Sequence, residues 1–72
     1  MKKLLKTYGL NSDMQYFEMI VESFINGQRI QAVEQFKAMP KANRISFVKS
    51  ATVGGWDSGL SDGDIMRLMD AM

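Results

Sequence analysis

Histidine and cysteine are both absent from the 72 residues. Their absence removes the side chain that titrates near neutrality, the thiolate nucleophile, disulfides and the usual ligands of a zinc site. Long apolar runs are missing too, so no segment reads as a membrane span. The opening Met1-Lys2-Lys3-Leu4-Leu5-Lys6 has the charge of a signal-peptide start. Lys6, Thr7, Tyr8 and Gly9 then break the apolar stretch that would have to follow, and the expectation is a soluble, cytoplasmic protein.

What is present points to one small folded domain over residues 1–72. Hydrophobic residues make up 46% of the chain, too many for a disordered segment. A domain of this size buries only about 60% of the surface its unfolded chain exposes. Its core must therefore come from aliphatics, seven methionines and the aromatics. The net charge of +1 conceals alternating blocks. Lys2, Lys3 and Lys6 are followed by Asp13, Glu18 and Glu22. Arg29, Lys37, Lys41, Arg44 and Lys49 then face only Glu34, and Asp57, Asp62, Asp64 and Asp70 face only Arg67. Such blocks complement one another within the molecule or leave a basic face for an acidic partner.

Helix start and stop signals divide the chain into segments of about 2–8, 12–26, 28–38, 40–51 and 61–71, with a Gly/Trp loop over 52–60. In the second segment Phe17, Ile20, Val21, Phe24 and Ile25 form the apolar face, while Gln15, Glu18, Glu22 and Ser23 take the other side. Ile30, Ala32, Val33, Phe36 and Met39 supply the buried side of the third. Pro40 disfavours helix at Met39 and suits the first position of the next helix. That fourth helix is weakly patterned: Ile45 and Val48 make its stripe, Phe47 points to one side, and Asn43, Ser46 and Ser50 lie opposite. The last begins with a capping signature, Ser61 at the N-cap, Asp64 three residues on, and Leu60 paired with Ile65 as a hydrophobic staple. Leu68, Met69 and Met72 continue its apolar face, leaving Met19 and Met66 as surface methionines. No strand pattern or internal repeat competes. The predicted fold is all-α, a compact single-domain bundle of four to five short helices.

Sites of chemistry are scarce. Asp57, Asp62 and Asp64 cluster but lack the ligand order and closing glutamate of an EF-hand, and capping accounts for Asp62 and Asp64. The glycines around Trp56 are not followed by the Gly-Lys-Ser/Thr of a phosphate loop, and the next helix opens with two acids that repel phosphate. The expectation is no enzyme, no metal and no cofactor. Trp56 reads first as a plug folded back on the bundle and second as an exposed anchor.

The reading that remains is a non-enzymatic accessory or regulatory protein acting by protein–protein contact. Its candidate partner-binding residues are Arg29, Lys37, Lys41, Arg44 and Lys49, with Phe47 and Trp56 as aromatic anchors, and they suit an acidic protein. A nucleic-acid-binding module using the basic face of residues 28–51 is the first alternative. Its Met39-Pro40 turn lacks the glycine of a helix-turn-helix, and Ile45, Phe47 and Val48 interrupt the would-be recognition helix. A structural homodimer sharing its core is the second.

Overall fold

Every predicted helix is present, within a residue or two of its expected ends. The computed structural model describes residues 1–52 and 59–72. It contains α1 (Lys2–Tyr8), α2 (Asp13–Ile25), α3 (Arg29–Lys37), α4 (Lys41–Thr52) and α5 (Asp62–Asp70). Among the described residues there is no strand, and the all-α bundle is the fold.

Local chemistry sets the helix ends. The Ser12 hydroxyl caps α2 by accepting from the Gln15 N–H at 3.2 Å. At the other end the Gly27 N–H donates to the Phe24 carbonyl at 3.0 Å and the Gln28 N–H to the Ser23 carbonyl at 2.8 Å. This paired arrangement needs a left-handed residue, and Gly27 supplies it at φ 81°. Ser61 caps α5, accepting from the Asp64 N–H at 3.2 Å. Asp62 and Asp64 add negative charge to its positive end. Leu60 lies half-buried against the core and Ile65 is buried one turn on.

The core gathers Tyr16, Phe17, Ile20, Val21 and Phe24 from α2, Ala32 and Phe36 from α3, Met39 after it, Phe47 from α4 and Leu68 from α5. Helix α3 packs against both α2 and α5, and α4 packs against α5. Three phenylalanines join α2, α3 and α4. The Phe47 ring meets Phe17 edge-on at 5.2 Å and Phe36 at 5.8 Å between centroids. Full burial of one such side chain contributes about 1.5–3 kcal/mol. The radius of gyration, 11.1 Å, is that of a single packed body, since about 11 Å is expected for a folded chain of this length.

A polar clamp crosses the α2–α3 interface within this apolar surround. The Tyr16 hydroxyl donates to the Gln35 carbonyl at 2.7 Å. That carbonyl lies in the last turn of α3, where helical partners run out. The Met39 N–H, which would close the regular bond to it, goes to Phe36 at 3.1 Å instead. The Gln35 side chain is tied as well, its Oε1 standing 3.0 Å from the Ser23 hydroxyl. That hydroxyl also reaches the Met19 carbonyl at 3.1 Å, so its one proton serves two acceptors. Ser23 is thus buried, not on the solvent side as the spacing predicts.

Several apolar residues also depart from the predicted faces. Ile25 is 69% exposed, because one residue beyond Phe24 is about 100° further round the helix. Ile30, in the first turn of α3, is 77% exposed. Met69 and Met72 are exposed, while Met19 is half-buried against the core and Met66 is exposed as expected. In α4 Phe47 is fully buried and Val48 is half-buried against the core, as the stripe predicts, whereas Ile45 lies on the outer side. The gap between the Phe17 and Phe36 rings takes an aromatic edge, and this decides the rotation of a helix whose own pattern is weak.

Candidate partner-binding surface

The candidate residues divide into three groups in the folded chain. Arg29, Lys37, Lys41 and Lys49 are exposed. Arg29 and Lys37 are the terminal residues of α3. Lys41, Ile45 and Lys49, spaced by four, form one row along the outer side of α4. Two cations thus flank a partly exposed isoleucine.

Arg44 is half-buried, and its Nε is sealed from solvent without a hydrogen-bond partner. At 60° or so from Phe47 round the helix, it leans towards the packed side and offers less of its guanidinium to a partner. Phe47 drops out as an anchor. Its ring is fully buried between Phe17 and Phe36, so it cannot reach a partner in the folded protein. Trp56, with Asp57 and the glycines beside it, lies outside the described residues.

Between α3 and α5 lies a shallow concavity of about 330 Å³, lined by Arg29, Ile30, Val33, Glu34, Lys37 and Arg67. Arg67 belongs to an acidic block in the sequence, yet the packing of α5 on α3 sets it beside the α3 cations. No local signal marks that neighbourhood, because it is a product of helix packing. The concavity combines three cations, one carboxylate, an exposed isoleucine and a half-buried valine. A surface of this composition attracts anions at its rim and gains by covering apolar area at its centre.

The buried polar groups serve structure. The Tyr16 phenol is pushed up from 10.0 to about 12, chiefly by burial and secondarily by the charge Tyr8 would carry nearby. It holds its proton throughout the neutral range and acts as a hydrogen-bond donor. Tyr8 packs edge-on against it at 5.8 Å. Among the described residues no three carboxylates converge as a metal site. None of the described helices is long and apolar enough to cross a membrane.

No protein-family model, curated protein sequence or solved structure matches the chain. The functional reading therefore rests on the side chains themselves.

Proposed function

We propose that this is a non-enzymatic, cytoplasmic accessory or regulatory protein that works by docking a preformed basic surface on an acidic protein. The observation that carries the reading is the exposure of Arg29 and Lys37 with Ile30 on α3 and of Lys41 and Lys49 with Ile45 on α4. Charges at the rim of a contact steer and align the partner, and aliphatic side chains covered at its centre supply affinity. Arg67 extends the same surface onto α5.

Nucleic acid is the second reading, favoured by the exposure of the same four cations. The exposed isoleucines weigh against it, since phosphates and sugars leave them uncovered. Anisotropy of a labelled random duplex and single strand at about 50 and 200 mM salt separates the two. The protein-contact reading expects no strong binding at the lower salt. It also expects that proteins captured by the wild-type chain are lost when Lys37 and Lys41 are both changed to Glu, with the helical circular-dichroism signal retained. Duplex or strand binding that collapses with salt would make nucleic acid the ligand.

A further inference from the structure

We propose that the concavity between α3 and α5 receives an extended acidic segment of a partner protein. That segment carries two carboxylates four residues apart, with a branched aliphatic side chain midway between them. The inference rests on the protein-contact reading above and narrows it to one groove.

Spacing is the first argument. Arg29 and Lys37 stand at opposite ends of α3, with Arg67 brought alongside from α5. Eight helical steps at about 1.5 Å each place the two α3 positions about 12 Å apart along the axis and about 80° apart round it, an offset that their long side chains can span. An extended chain rises about 3.3 Å per residue and turns alternate side chains to the same face. Carboxylates at positions i and i+4 of such a segment are therefore about 13 Å apart and face the same way as position i+2.

Chemistry between the cations supplies the second argument. The middle of the groove offers Ile30 and Val33, and Glu34 lies beside them. A third carboxylate at i+2 would meet Glu34, whereas an aliphatic side chain there covers Ile30, which is 77% exposed. A nucleic-acid strand fits less well. Every nucleotide carries a phosphate, so one lies between any two that Arg29 and Lys37 hold and falls against Glu34, while Ile30 stays uncovered.

A random peptide library displayed on phage, selected against the whole chain, tests the proposal. Selected peptides are then titrated into ¹⁵N-labelled protein. The expected selection is enriched in Asp or Glu, any residue, Ile, Leu or Val, any residue, and Asp or Glu. Its chemical-shift changes should centre on residues 29–37 and Arg67. Ile30→Asp and Arg67→Glu should each weaken binding by about tenfold or more, and both side chains are exposed, so the fold should persist. Lys2→Glu with Lys3→Glu, the same charge change on exposed positions of α1 outside the proposed surface, should change it far less, by about twofold or threefold. Acidic peptides whose shifts map to α4 would overturn the groove and leave the protein-contact reading standing. A selection without acidic enrichment, or with no binders, would overturn both.

Discussion

Each side of α3 carries one residue that polarity alone would assign to the other. Facing α2, Gln35 is 6% exposed, and facing outward, Ile30 is 77% exposed. The inner side is closed by Phe36 against Phe47 and by the double tie of Gln35 to Tyr16 and Ser23. The outer side lies in a groove with Arg29, Lys37 and Arg67. Burial in this helix follows position on the arc and hydrogen-bond satisfaction. A glutamine whose polar atoms are met can be buried at small cost, and an isoleucine outside the packed arc stays in water.

Substitutions on the inner side should break this contrast in descending order. Phe36→Ala removes a fully buried ring and should cost about 3–5 kcal/mol, a large share of the stability of so small a domain. Urea unfolding followed by circular dichroism reads it, and Phe47→Ala should fall in the same range. Gln35→Ala should cost about 1–3 kcal/mol, since it strips the Ser23 hydroxyl of one acceptor and leaves a void. Combining it with Ser23→Ala should cost less than the sum of the two single changes, which a double-mutant cycle resolves.

Tyr16→Phe probes the backbone half of the clamp and should cost about 1–1.5 kcal/mol at neutral pH. It should also change the alkaline limb of stability. The folded phenol titrates at about 12 and the unfolded one at 10.0. Between those values the unfolded chain binds fewer protons than the folded one, so stability falls as pH rises. The contribution is complete below about pH 10 and lost through about pH 12. Wild type minus Tyr16→Phe should therefore shrink across that window, and a constant difference would place the phenol outside the buried site. The smallest effect belongs to the outer row of α4. Ile45→Gln, at a side chain 37% exposed, should cost about 0.5–1 kcal/mol.

Much of this fold is legible along the chain because its boundaries are made by local chemistry. Gly27 ends α2 through its positive φ, Ser12 and Ser61 cap, and Pro40 separates α3 from α4. The α2 face is legible as well, from Phe17, Ile20, Val21 and Phe24, although the period alone passes over Tyr16 and Ser23. Tyr16, Ile20 and Ser23 do lie on one side of the helix at the three- and four-residue spacing, and that was the available signal. Helix α4 is different. Phe47 and Val48 both turn to the core while Ile45 of the predicted stripe does not, and that rotation depends on rings contributed by α2 and α3. The proposed binding surface is half legible for the same reason. Arg29, Lys37, Lys41 and Lys49 are found by charge, while Arg67 joins them only through the packing of α5 on α3.

In the proposed docking mode α3 packs through one side and receives its partner on the other. Urea unfolding of Ile30→Asp, measured beside its affinity for a selected acidic peptide, tests this most directly. Separate sides should give an unfolding free energy within about 0.5 kcal/mol of wild type together with at least about tenfold weaker binding. A large loss of stability, or unchanged affinity in a folded variant, would contradict that separation.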